Sequence, residues 1–238
     1  MSLIIAVHVN EGIVLAGDRR ATYTDTITTQ TGDKLQRMGI HITDSTDKVF
    51  ICPNGSGIAV CGGISLQDRP ITGFIQDMIR KGISEDTKIS EIPQKIIDYF
   101  KSFSEPLRTN FIIAGYEEDK EGNKVQMIYQ LRLIGGSIED VDVSSQGAVW
   151  QGETYTLSRL VQPVGLKQED GTYIDLPQEG ILWQYFTLQD AVDFARYAIE
   201  TTINTLRFKK VVETVGGGVD ILVIRPDDTR WLQKEVLR

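Results

Sequence analysis

Apolar and polar positions alternate between two periods along this chain, and the switches between them outline its elements. Ser2 to Val9 ("SLIIAVHV") and "GIVLAGD" (to Asp18) are β-rich runs separated by Asn10-Glu11-Gly12, a spacing that predicts an opening hairpin. "KVFICPN" and "SGIAVCGG" predict a second strand pair around Pro53-Asn54-Gly55. A helical pattern opens at Ser65 and runs through Phe74, Ile75, Met78 and Ile79, and another covers Ile92 to Ser102. "NFIIAGY" (Asn110 to Tyr116) and "KVQMIYQLRL" (Lys124 to Leu133) flank an acidic, Gly-containing turn and read as a third hairpin. Leu188 to Leu206 returns to helical spacing, and "GGGVDILVIRPDDTRWL" closes as a buried strand, a turn and an edge strand. Thr22 to Asp47 is polar and Thr-rich with little periodicity, and is expected to be a long surface excursion. Strands, two helices, strands, a helix and strands make an α+β order, most simply two antiparallel sheets sandwiched between helical layers.

Composition narrows the function classes. A chain of 238 residues, 41% hydrophobic, is expected to form one domain spanning 1–238, with no linker or repeat. A net charge of −8 without a cluster of Lys and Arg argues against nucleic acid as a partner. No apolar run reaches the eighteen or so residues of a membrane span, and no basic leader is evident, so no membrane partner and a cytoplasmic location are expected. Cys52 and Cys61 are too few for a disulfide scaffold and read as buried thiols.

Candidate chemistry emerges mainly by exclusion. His8 and His41 are the only histidines, one on a strand and one in the polar excursion, which leaves few parts for a Ser-His-Asp triad or a metal site; His8 reads as a satisfied strand residue. "GGGVD" precedes a strand and lacks the Lys and Ser/Thr of a phosphate loop, so no nucleotide or other cofactor is expected, and no metal. What remains is Ser2, Asp18 at the end of the second strand, Lys48 at the start of the third and Gly62 at the end of the fourth.

"GIVLAGDRRAT" resembles the corresponding stretch of proteasome β-subunits and the related bacterial heat-shock peptidase, in which the mature N-terminal Thr lies sixteen residues before the Asp; Ser2 to Asp18 has that spacing. Lys48 to Gly62 likewise reproduces the fourteen-residue interval between the family's Lys and its oxyanion-hole Gly. "NFIIAGY", "AVWQGETYTLSRLV" and "GGGVDILVI" extend the match over most of the chain, while the Asp-to-Lys segment is longer by about fourteen residues. The resemblance implies a four-layer αββα sandwich of N-terminal nucleophile hydrolase type. It also implies a peptidase with Ser2, Asp18, Lys48 and Gly62 as catalytic residues and Arg20 bracing the same wall. The implied partners are a peptide or unfolded-protein substrate, a homo-oligomeric ring and, in some members, an ATPase. Three features depart from the pattern. Ser stands for Thr at the nucleophile; Gln151 replaces an accessory Ser; and Val212 and Val215 occupy the places of an accessory Asp and Ser, with Glu213 the nearby carboxylate. A catalytically silent, scaffold-like subunit is the alternative these departures favour.

The chemistry of the set has its own logic. A free α-amine, with a pKa near 7.7 to 8.0, is a base tethered beside the Ser2 hydroxyl, so no histidine is needed. It becomes free only once Met1 is removed.

Overall fold

The computed structural model describes residues 2–29 and 31–235. Strands β1 (Leu3–Val9) and β2 (Gly12–Asp18) form the expected opening hairpin and sit in the middle of a five-stranded sheet. Its order is β12 (Gly147–Gly152), β1, β2, β15 (Val219–Ile224), β16 (Thr229–Gln233), antiparallel throughout. The second five-stranded sheet runs β11 (Ser137–Asp140), β10 (Lys124–Arg132), β9 (Thr109–Glu118), β6 (Gly57–Gly62), β5 (Val49–Ile51), also antiparallel. Three short ribbons complete the strands: β3 (Ala21–Thr28) with β4 (Lys34–Thr43), β7 (Ser65–Leu66) with β8 (Arg69–Pro70), and β13 (Gly165–Lys167) with β14 (Tyr173–Asp175). The helices are α1 (Ile71–Gly82), α2 (Ile92–Lys101), α3 (Tyr155–Val161) and α4 (Leu188–Arg207). No described helix is long and apolar enough to cross a membrane.

Three apolar clusters hold these elements, and strand alternation assigns each side chain to one of them. Along β1, Leu3, Ile5 and Val7 pack with Ala195, Ala198 and Ile199 of α4. Ile4 and Ala6, pointing the other way, meet Ala59, Ile112, Ala114 and Ile128 of the second sheet. The far face of that sheet, through Ile58, Val60 and Phe111, packs on Ile75 and Met78 of α1 and Ile96 and Phe100 of α2. Both faces of the central strands are therefore buried, which is why β1 and β2 read as unbroken apolar runs rather than alternating ones. The result is an α+β fold of antiparallel sheets and four helices.

Two expectations are corrected. The Thr22 to Asp47 excursion is mostly a β-ribbon, paired from Ala21↔Thr43 to Thr28↔Lys34 with a register shift between Tyr23 and Thr24. Beyond Thr22 its residues are exposed or half-buried and none reaches the core, so hydrophobic alternation does not mark it. The helix expected from Ser65 begins at Ile71, because Gln67 and Asp68 adopt positive φ (51° and 56°) and close the tight β7–β8 ribbon first. The apolar stripes of α1 and α2 pack on the second sheet, and α1 presents Gln76, Arg80 and Lys81 outward.

Candidate active site

Asp18 is the hub of the site. As the last residue of β2 it returns beside the start of β1, since Ile4 pairs with Gly17. Its Oδ1 accepts the Leu3 amide at 3.0 Å and the Lys48 ammonium at 2.7 Å. Its Oδ2 accepts the amides of Arg20 (3.1 Å) and Gly216 (3.0 Å). The carboxylate is wholly buried and fully committed, as a buried charge must be. Lys48 also donates to the Arg20 carbonyl at 2.5 Å, and its own carbonyl accepts the Val60 amide, tying it to β6. Burial pushes the Lys48 ammonium below the usual lysine value, with Asp18 acting in the opposite direction.

Ser2 is 1% exposed. Its carbonyl accepts the Glu153 amide at 2.7 Å, and its hydroxyl is buried without a partner. Gly152, at φ 102°, lies so close that a Cβ there would come within 1.8 Å of the Ser2 carbonyl oxygen and 3.4 Å of the Cys61 Cβ. Cys61 thus adjoins the Ser2 turn; burial pushes its thiol up to about 12, with the Lys48 charge opposing. Cys52 is raised to about 12 by the same cause, and both thiols are free and buried. Gly62 follows Cys61 at the end of β6 with φ 107°, where a Cβ would meet the Arg108 carbonyl at 2.5 Å, so only glycine fits. Ser2, Asp18 and Lys48 therefore gather at the start of β1 and the end of β2, and Gly62 follows Cys61, which adjoins the Ser2 turn, at the end of β6.

Arg20 braces the adjacent wall. Its guanidinium bonds both oxygens of Asp44 (2.6 and 2.9 Å) and Glu213 (2.7 Å), linking the segment after β4 to the glycine run before β15; the Asp44 bonds raise its pKa most, against the cost of burial. The group lies over Gly216, where a Cβ would fall 2.4 Å from its Cζ. Sequence reasoning missed Arg19. Its buried guanidinium bonds Asp47 (2.9 Å) and Asp220 (2.8 Å), and Lys234 reaches the same two carboxylates at 2.7 and 2.8 Å. Because Arg19 follows Asp18 and Asp47 precedes Lys48, this network fixes both ends of the central pair. The only signal was the doubled arginine, with nothing to say which one turned inward.

The accessory positions differ in fate. Gln151 is buried; its Nε2 donates to the Gln130 Oε1 at 2.6 Å, and its own Oε1 has no partner. Val212 is exposed, Val215 is in the core beside α4, and between them Thr214 is buried with an unpartnered hydroxyl. His8 is buried on β1, where burial lowers its pKa and Asp142 partly opposes the shift. The unfolded chain then binds the proton more tightly, so stability contributed by neutral His8 is complete above the ordinary value of 6.5 and falls as pH drops below it. The melting temperature is expected to fall as pH drops from about 6.5 toward about 5, and His8→Gln to flatten that slope. An unchanged slope in the variant refutes the assignment.

No protein-family model matches this chain, and no curated protein does. Among solved structures it is similar to a mutant of Anbu from Hyphomicrobium sp. strain MC1, with a TM-score of 0.57 and 13% identity over 98% of this chain and 87% of that one. At that identity the likeness is one of fold.

Proposed function

We propose that this chain is a proteasome-like N-terminal nucleophile hydrolase, a single four-layer αββα domain that cleaves peptide bonds through an acyl-enzyme on Ser2 after Met1 is removed. Met1 lies outside the described residues. The observation that carries the reading is the buried Lys48–Asp18 pair, held by the Leu3 amide next to Ser2. A mobile cation beside a new N-terminal amine would be neutralised by solvent. This one is fixed and dry, so its repulsion lowers the amine's pKa and leaves the amine free to accept the hydroxyl proton. Ser2 Oγ then attacks the scissile carbonyl, the Gly62 N–H stabilises the oxyanion, the amine product leaves with the proton, and water resolves the ester. The fold likeness to Anbu supports the fold part of this reading. A cytoplasmic homo-oligomeric ring with an ATPase partner belongs to this reading.

A catalytically silent subunit is the second reading, favoured by the near-complete burial of Ser2 and by Gln151, Val212 and Val215 at the accessory places. Intact mass of protein from its native cell reports the fraction of chains lacking Met1. An epoxyketone, which closes its ring only on a hydroxyl with a neighbouring free amine, is expected to label that fraction at Ser2. Ser2→Ala should take no label and Ser158→Ala should label normally. Fully processed chains that take no label and cleave no peptide establish the silent subunit instead.

A further inference from the structure

The ribbon β13–β14 has strands of three residues, and every residue in them is exposed. Leu166 pairs with Ile174, and Leu176 donates its amide to the Val164 carbonyl, so these four side chains line one face of the ribbon. Leu166, Ile174 and Leu176 are uncovered there, and Tyr173 on the opposite face is 69% exposed. Two short strands with a solvated apolar face are at best marginally stable on their own. The tip and its sequel are acidic, with Glu169, Asp170, Asp175 and Glu179 all exposed.

The complement of this arm lies on the same chain. The end of α4 carries Arg207, Lys209 and Lys210, and the neighbouring α3 carries Arg159. Arg159 stacks on the Tyr155 ring at 3.9 Å and Lys209 approaches the same ring at 5.2 Å, which joins the two helices into one patch. Phe208, 83% exposed, together with Leu160 and Val211 supplies apolar surface among the charges. Among the described residues none of the four cations enters an ion pair, and neither do the four carboxylates of the arm. This local gathering of cations corrects the sequence reading of a chain of net charge −8 without a Lys and Arg cluster, since Arg159 joins Arg207, Lys209 and Lys210 only in the fold.

We propose that the acidic apolar arm at residues 164–179 docks on the cationic aromatic patch of α3 and the α4 end in a second copy of this chain. The contact covers the bare face of Leu166, Ile174 and Leu176, while Glu169, Asp170 and their neighbours meet the lysines and arginines. Such a junction has an apolar centre and a charged rim, the ordinary anatomy of a specific interface. It is separate from the nucleophile site and holds whether or not Ser2 is active.

Charge reversal tests it. Lys209→Glu/Lys210→Glu cancels the positive charge of the patch, with Arg159 and Arg207 left against two new carboxylates, and Glu169→Lys/Asp170→Lys cancels the negative charge of the arm, so each variant alone is expected to self-associate at least about tenfold more weakly in sedimentation equilibrium. Mixing the two variants brings an unaltered arm together with an unaltered patch and should recover association at that junction. Raising salt from about 0.1 M to about 0.5 M should weaken the wild-type contact. Ile174→Asp should abolish it, with the melting curve confirming that this exposed position leaves the fold intact. A wild-type chain that is monomeric throughout overturns the proposal, and so does association unaffected by either reversal. Binding of anionic vesicles that Lys209→Glu/Lys210→Glu abolishes, in a chain that stays monomeric, assigns the patch to a membrane surface and also overturns it.

Discussion

Asp18→Asn is expected to lower the folding free energy by about 3–5 kcal/mol, because it leaves the Lys48 ammonium buried without its counter-charge. The asparagine can still offer one oxygen, but its NH2 group faces donors where Asp18 had a second acceptor. The amides of Arg20 and Gly216, or else those of Leu3 and the Lys48 ammonium, then lose their partner. Lys48→Met should be costly too, for it strands the carboxylate, although three backbone amides still serve it. The informative measurement is the double-mutant cycle by urea denaturation. Asp18→Asn with Lys48→Met removes both charges, and its loss is expected to be smaller than the sum of the singles, since an uncompensated charge no longer remains. Additive losses would mean that the 2.7 Å pair contributes no coupling. Both singles should also abolish epoxyketone labelling of the processed chain, which separates the pair's role at the nucleophile from its role in stability.

The central hairpins were legible in the sequence because both faces of their strands are buried, leaving unbroken apolar runs, and because their turns carry Gly or Asn-Gly punctuation. Helices α2 and α4 were legible for a related reason, each having one core-facing stripe. The ribbons β3–β4 and β13–β14 were not, since the first is dominated by polar residues and the alternation of the second, Val164/Leu166 and Ile174/Leu176, is only two positions long on each side of its turn. The site divides in the same way. Asp18 and Lys48 stood out because the Ser2–Asp18 and Lys48–Gly62 intervals match those of the family the chain resembles. The Arg19–Asp47–Asp220–Lys234 network could not, because it joins residues up to 215 positions apart whose types are ordinary surface charges in any sequence window. Gly152 was visible only as the centre of a turn. Its pressure against Ser2 depends on how β12 meets β1.

That contact gives the second large effect. Gly152→Ala is expected to cost about 4 kcal/mol, from a left-handed backbone that L-residues resist and a collision with a backbone atom. The new Cβ would sit 1.8 Å from the Ser2 carbonyl oxygen, and that oxygen cannot swing aside without giving up the Glu153 amide that it accepts at 2.7 Å. Relief therefore has to come from Ser2 moving relative to β12. Gly171→Ala separates the two contributions: it also has positive φ (87°), but its Cβ would meet nothing within 4 Å. That control should lose only about 1 kcal/mol, the backbone share. If both variants cost the same in denaturant, the close approach to Ser2 is relieved cheaply and Gly152 is an ordinary turn glycine. If Gly152→Ala costs more and its folded fraction, freed of Met1, takes up the epoxyketone far more slowly than the wild type, the turn at Gly152 is what holds Ser2 in place for reaction.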